Sequence, residues 1–257
     1  MQPLEYITMR RVEDRHWWYA VLRRQVIEAM TVRLKPDAQV LDAGCGTGGM
    51  MECLRPLPWS VQGIDLDPRA VLACQQRGLT EVQQADVSRL PFLSDQFDAV
   101  LSLDVLYHQS VNQEVALMEM VRVLKPGGWL ILNLPAFECL RGSHDVAVCG
   151  ARRYKACHVR HLLGLHSMGA EIFHPWNASL FIPIFLHRVW SRLRGQKWVS
   201  DLNLPPEWLN AWLKHLGHLD AKICRWTHFP IGTSWFAVAR KRCGSVSMGQ
   251  AKSQIRR

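Results

Sequence analysis

The sequence predicts an α/β domain built on a mostly parallel sheet with helices on both faces. Three observations predict it. Short apolar runs of strand length alternate with helical patterns between residues 39 and 134, and that alternation marks βαβ units. Runs such as Trp129–Leu134 (WLILNL) are nearly continuous in apolar character, as strands buried on both faces require. A loop of four glycines, Gly44-Cys45-Gly46-Thr47-Gly48-Gly49, separates the first such strand from the helix after it. A chain of 257 residues accommodates one domain of this kind with insertions.

The elements follow in order. Leu4 to Leu34 reads as one helical segment, with apolar residues at Val12, Trp17, Val21, Val26 and Met30. Pro36-Asp37 ends it. Gln39–Asp42 is the first strand, and a helix runs from the glycine loop to about Leu54. Ser60–Asp65 is the second strand. Asp67 then stands as an N-cap with Pro68 at the first helical position. Glu81–Ala85 and Phe97–Leu103 are the third and fourth strands. Asn112–Leu124 is an amphipathic helix stopped by Lys125-Pro126-Gly127-Gly128, and Trp129–Leu134 is the fifth strand. Residues 135–157 are irregular and polar. Helix is expected over Val159–Met168 and Glu207–Leu219, strand over Ala170–Trp176 and Ser234–Arg240. Residues 1–37 thus form an N-terminal helical cap on a domain of residues 38–240. Residues 135–157 and 177–232 are insertions on its ligand side, and residues 241–257 a basic, disordered tail.

Composition narrows the function classes. Hydrophobic residues at 48% and charged residues at 21% belong to a globular protein and argue against disorder. No apolar run approaches the roughly 20 residues of a membrane-spanning helix. The N-terminus lacks the apolar stretch of a signal peptide. Eight cysteines without a CxxC pair point to a reducing, cytoplasmic compartment. No metal site is expected, since His158, His161 and Cys157 do not follow a closed zinc spacing. The net charge of +9 is unevenly spread: residues 1–138 carry −4, residues 139–200 carry +7, and the last 18 residues hold six basic and no acidic side chains. That middle segment suits an anionic substrate or anionic lipid.

The glycine loop has two readings. Gly44, Gly46 and Gly49 satisfy the GxGxxG of dinucleotide sites, which would make the chain an NAD(P)-dependent oxidoreductase. Asp42, two residues before the first glycine, argues against it. Its carboxylate would repel a pyrophosphate over the loop, but suits a ligand with a cationic group such as an amino-acid ammonium.

The motif set as a whole, VLDAGCGTG (40–48), GIDLDP (63–68), QQADVSRLPF (83–92), FDAVLSLDVLYH (97–108) and LKPGGWLIL (124–132), resembles the class I S-adenosylmethionine-dependent methyltransferases, in particular the type 11 group. The resemblance implies a Rossmann-like seven-stranded sheet in the order 3-2-1-4-5-7-6, strand 7 antiparallel, with a helical cap. It implies S-adenosyl-L-methionine as cofactor, leaving S-adenosyl-L-homocysteine. Cofactor-binding positions would be Asp42, Gly44, Cys45, Gly46, Gly48, Asp65 at the ribose hydroxyls, Leu66, Asp86 at the adenine amino group, Val87 and Leu103. Asp98 reads as structural, since it starts a strand and can bond local backbone.

A second layer of resemblance, to a bacterial-type subgroup, runs over nearly the full length. It rests on Glu13-Asp14-Arg15-His16-Trp17-Trp18, on His144-Asp145 followed by Gly150-Ala151-Arg152-Arg153-Tyr154, and on DLNLPPEWLN (201–210). Ala151 stands where the subgroup pattern has histidine, which keeps open a catalytically inactive, methyltransferase-like binding protein. Candidate catalytic residues are Tyr107 and His108, just past the fourth strand, and His144. His16, Trp17, Asp145, Arg153 and Tyr154 are candidate substrate contacts, since an Arg-Arg-Tyr run can hold a carboxylate or phosphate, or instead order its own loop. The acceptor is expected to be a small or lipid-linked molecule. Nucleic acid is disfavoured: there is no Asn/Asp-Pro-Pro-Tyr after the fourth strand, no Pro-Cys, and no aromatic–basic module. The stripe Ile182, Leu186, Val189 and Leu193 reads as a lid helix packed on the core, or alternatively as a helix touching a membrane surface.

Overall fold

The computed structural model of the chain describes residues 3–193, 203–227 and 229–242. Residues 243–257 of the expected tail, and residues 194–202 and 228 of the expected cap, lie outside the described residues. Seven strands form one sheet: β1 (Ala38–Ala43), β2 (Trp59–Asp65), β3 (Val82–Gln84), β4 (Phe97–Leu103), β5 (Leu124–Pro135), β6 (Met168–Trp176) and β7 (Ser234–Lys241). Their order is β3-β2-β1-β4-β5-β7-β6. The first five pair in parallel, and β7 runs antiparallel to both β5 and β6. This is the order the motifs imply.

Nine helices are described: α1 (Pro3–Val12), α2 (Trp17–Thr31), α3 (Gly49–Leu54), α4 (Pro68–Gln76), α5 (Gln113–Val123), α6 (Ser143–Ala147), α7 (Ala156–Leu165), α8 (Phe181–Leu193) and α9 (Glu207–Thr227). The side chains of the central strands divide with a period of two. Leu41, Val100, Leu130, Leu132 and Ala237 meet α5 and α7 on one face. Val40, Leu101, Ile131, Phe236 and Val238 meet α2 on the other. Gly217 brings α9 close against α2, since a Cβ there would come within 2.9 Å of Val21 Cγ2. Asp98 accepts from Gln39 N at 2.9 Å and Lys125 Nζ at 2.7 Å, tying the starts of β1 and β5 to β4.

The structure departs from the sequence expectation in four places. The single N-terminal helix is two helices. His16 is extended (φ −71°, ψ 132°), and its side chain caps α2 by accepting from Trp18 N. Trp17 N, freed from helix bonding, donates to Asn210 Oδ1 at 2.9 Å. Residues 135–157 contain a 3-10 turn and the short α6. α9 runs on to Thr227, because Asp220, Ala221 and Cys224 continue its buried side. The α8 stripe does not pack on the core: Ile182, Leu186 and Leu193 are exposed, while Ile184 and Arg188 face a cavity at the carboxyl ends of the strands.

Leu101, central and fully buried, tests the sheet. Leu101→Ala is expected to cost about 2–5 kcal/mol, read as a lowered urea midpoint. Leu93→Ala, on a well-exposed loop residue, is expected to stay within about 0.5 kcal/mol.

Candidate functional site

A cavity of about 910 Å³ opens over the carboxyl ends of β1, β2 and β4, the end of an open α/β sheet where ligands bind. Its floor is the glycine loop. Gly44, Gly46 and Gly48 all have positive φ (92°, 56° and 82°), and the amides of Gly44 and Cys45 both donate to Ile64 O at 2.8 Å. Gly44 also passes under the start of the β4–α5 loop, where an added Cβ would collide with Val105. Only glycine meets both demands.

The loop is braced from two sides. Asp65, at the end of β2, accepts from Gly46 N at 2.9 Å and from Asp67 N at 3.0 Å. From the N-terminal side, Glu13 is buried in a cluster with Thr47, Arg77 and Arg23. Thr47 Oγ1 donates to Glu13, Arg77 Nε donates to Thr47 O at 2.7 Å, and Arg23 lies 3.4 Å from the same carboxylate. Burial would be costly for Glu13 alone, and two guanidiniums with a hydroxyl offset it. α1 is therefore clamped across the loop, with Tyr6, Met9 and Glu13 lining the cavity.

Of the carboxylates that line the cavity, Asp42, Asp65 and Asp104 stand at or just past the carboxyl ends of β1, β2 and β4. Asp42 Oδ2 is buried and finds no hydrogen-bond partner among the described residues. Burial, reinforced by the nearby charges of Asp65 and Glu13, pushes its carboxyl up to about 7. Asp65 is also raised by burial, against the opposing effect of its two backbone donors. Asp104 follows β4 in a left-handed conformation (φ 54°), which strains a non-glycine residue. Asn133 Nδ2 donates to its carboxylate at 2.8 Å, and Trp176 Nε1 donates to Asn133 Oδ1 at 2.9 Å. Burial pushes Asp104 up to about 7 as well.

Most expected site residues come together here. Asp42, Gly44, Cys45, Gly46, Asp65, Leu66, Asp86, Val87 and Leu103 line the cavity, as do His16, Trp17, Tyr107, His108, Asp145 and Arg153. Gly48 does not: it is the N-cap of α3, turned behind the loop. Tyr154 does not either. It is fully buried, with its hydroxyl 3.0 Å from Leu106 O and from Gln113 Oε1, so it anchors the insertion rather than reaching a ligand. The side chain of His144 lies outside what is described. Arg153 lines the cavity, but its fork is committed to Asp145 (2.8 and 3.0 Å) and to Ala136 O. The residue expected to grip an acceptor anion is thus engaged with its own loop. His16 stays neutral near pH 7, since burial lowers its imidazole to about 4.

Sequence reasoning passed over Asp104, Trp18, Tyr19 and Arg23, which also line the cavity. Asp104 had a signal: it is the first residue past β4, three before Tyr107. Burial, with Asp104 and Asp145 close by, holds the Tyr107 phenol well above its usual range, so it remains a donor.

Sheet order, glycine loop and the acidic residues at the ends of β1 and β2 define a class I methyltransferase arrangement. Residues 41–132 match the family model of the methyltransferase domain. It is 40% identical over 101 residues to an uncharacterized methyltransferase, YodH, of Bacillus subtilis, covering 37% of this chain and 42% of that protein. It is 36% identical over 123 residues to the malonyl-[acyl-carrier protein] O-methyltransferase of Enterobacter lignolyticus, covering 46% and 48%. The chain thus spans less than half the length of these curated relatives. Among solved structures, a putative methyltransferase in complex with the Haloferax volcanii Trm112 activator superposes with a TM-score of 0.60 at 19% identity, covering 94% of this chain and 97% of that one.

The carboxyls of Asp42 and Asp104 carry a signed pH dependence. Their folded values near 7 exceed the roughly 3.9 of an unfolded aspartate. Below about pH 4 both states are neutral at these groups and they contribute nothing. As pH rises from about 4 through 7 the unfolded chain ionises first, so stability falls. Asp42→Asn should flatten that slope, measured as the change in urea midpoint between pH 5 and pH 8. An unchanged slope would show that Asp42 does not hold its proton in the folded state.

Proposed function

We propose that the chain transfers the methyl group of S-adenosyl-L-methionine to a small or lipid-linked acceptor, within the cavity at the carboxyl ends of the strands. The observation that carries this reading is Asp42 Oδ2, buried and unpartnered at the mouth of the glycine loop. An unpaired buried carboxylate oxygen calls for a cationic ligand group, and an amino-acid ammonium provides one. A dinucleotide pyrophosphate would place its charge against the same oxygen, which disfavours the oxidoreductase reading.

The residues present fit that cofactor. Asp42 would take the ammonium, and the backbone of Gly44 to Gly46 would lie beneath the methionyl part. Asp65 would accept from the ribose hydroxyls, while Leu66 and Val87 flank the base and Asp86 meets its amino group. When bound, the cofactor supplies an activated methyl on a sulfonium, so the protein's task is orientation and exclusion of water. Trp17, Trp18, Tyr19, Leu22, Leu140 and Ile184 also line the cavity, beside His16, Arg23, Asp145 and Arg188, and this apolar and aromatic surface supports an acceptor with an apolar body. Asp104 is the group placed to take a proton where the acceptor must lose one, its proton affinity already near neutrality. Tyr107, which keeps its phenolic proton, would donate a hydrogen bond to the acceptor, and His108 lies beside it with ring centroids 4.5 Å apart.

Calorimetric titration with S-adenosyl-L-homocysteine, with NAD in parallel, tests the cofactor. Micromolar binding of the first alone is expected, and NAD binding alone would overturn the reading. Asp65→Ala should weaken binding at least about tenfold, roughly 1.4 kcal/mol. Unchanged affinity would remove Asp65 from the ribose site. A cationic ammonium favours ionised Asp42, so affinity should rise from pH 6 to pH 8, and that rise should vanish in Asp42→Asn.

A further inference from the structure

α9 carries two opposed faces. At about 100° per residue, its buried residues Gly217, Asp220, Ala221 and Cys224 lie within one arc against α2 and β6. On the other side Trp208, Trp212, Leu219, Ile223 and Trp226 fall within an arc of about 60°. They are 73%, 56%, 57%, 49% and 88% exposed. None of these five lines the cavity. Phe229, just beyond the helix, is exposed too. Single exposed apolar residues are ordinary, but a continuous stripe with three tryptophans marks an interaction surface.

The charges on one flank of the stripe select the partner. Lys222 stands about 40° from its edge, and Arg225 and Lys214 about 100° and 120° from it, further round the same flank; all three are exposed, while Asp220 is turned inward, where it accepts from Ala178 N and Ser179 N. Glu207, at the start of the helix, is paired with Arg15. The exposed side of the helix is therefore apolar and cationic, within a chain of net charge +9. A second copy would oppose the same cations to one another. Nucleic-acid bases stack on tryptophan, but Leu219 and Ile223 give them nothing to stack on. An anionic bilayer surface uses every part: tryptophans settle at the headgroup level, aliphatic side chains enter the acyl boundary, and lysine and arginine meet the phosphates.

We propose that the exposed face of α9 docks the protein on the surface of an anionic membrane, lying in the interface plane without crossing it. No described helix is long and apolar enough to span a bilayer, so the contact would be peripheral and reversible.

The full-length chain is mixed with vesicles of phosphatidylcholine alone, or with about a third phosphatidylglycerol, and sedimented. Binding to the anionic vesicles is expected, at least tenfold stronger than to the neutral ones, with a blue-shifted tryptophan emission. The triple variant Trp208→Ser, Trp212→Ser and Trp226→Ser should lose it, as should the charge variant Lys214→Glu, Lys222→Glu and Arg225→Glu. Both should still bind S-adenosyl-L-homocysteine like the unaltered chain, which shows that they fold and separates this proposal from the cofactor reading. Failure of the unaltered chain to bind, equal binding to both vesicles, or binding unaffected by the tryptophan variant would overturn the proposal. So would a dimer in solution that the same variant dissociates.

Discussion

The structure turns on a carboxylate that has nowhere to go. Asp42 lies near the carboxyl end of β1, an inner strand of a sheet buried on both faces, and its Oδ2 is enclosed without a partner among the described residues. A lone buried charge is among the more expensive features a fold can carry, and here two more negative groups, Asp65 and Glu13, lie close enough to add to the cost. The neighbouring architecture contains that cost. Asp65 is given two backbone amides. Glu13 is given Arg23, Arg77 and Thr47. Only Asp42 is left open, and it faces the cavity. On the proposed function, that oxygen is the one the ammonium of the ligand would meet.

The same logic explains why α1 belongs to the site rather than to the periphery. Without Glu13 and Met9 the glycine loop would be exposed on its N-terminal side. With them, the ion cluster joins Glu13, just past α1, to Arg23 of α2, Thr47 of the loop and Arg77 at the C-cap of α4. The cluster has low exposure on most of its members, so it is less subject to the screening that weakens surface ion pairs. A second polar chain runs from Trp176 through Asn133 to Asp104. It fixes the strained turn after β4 from the far side of the sheet, and Trp18 packs against Trp176 with ring centroids 5.4 Å apart. The cap and the sheet thus position one another's polar groups.

The strands and the glycine loop were legible because they follow from local rules, and the order of the strands because the motif set resembles a known family. Strands with apolar character on both faces, a cap such as Asp67 before Pro68, and glycines where φ is positive are written within a few residues of each other. Long-range choices were not legible. The break at His16 depends on Asn210, nearly two hundred positions away, accepting the Trp17 amide. The commitment of Arg153 to Asp145 required the loop between them to fold back. The inward turn of Tyr154 depends on Leu106 and Gln113, more than forty positions before it. Periodicity identified an apolar stripe on α8 but not the direction it faces, since amphipathic spacing is the same whether the apolar side meets a core, a cavity or solvent.

The missing histidine at position 151 is the remaining argument for a protein that binds without catalysing. The structure weakens it. Ala151 contributes through its backbone: its N–H donates to Tyr107 O at 2.8 Å, and its carbonyl accepts from Arg141 at 3.1 Å. Arg141 also donates to Gly150 O, and Gly150 is packed so closely on the Tyr107 ring that a Cβ there would come within 2.8 Å. The insertion is ordered against the β4–α5 loop without any side chain at 151. Tyr107, His108 and Asp104 all lie on the cavity side of that junction. Ala151 is not among the residues that line the cavity, and its part in the insertion is played by backbone hydrogen bonds that need no side chain. On the proposed function, the alanine at 151 therefore leaves the candidate residues Tyr107, His108 and Asp104 where they are.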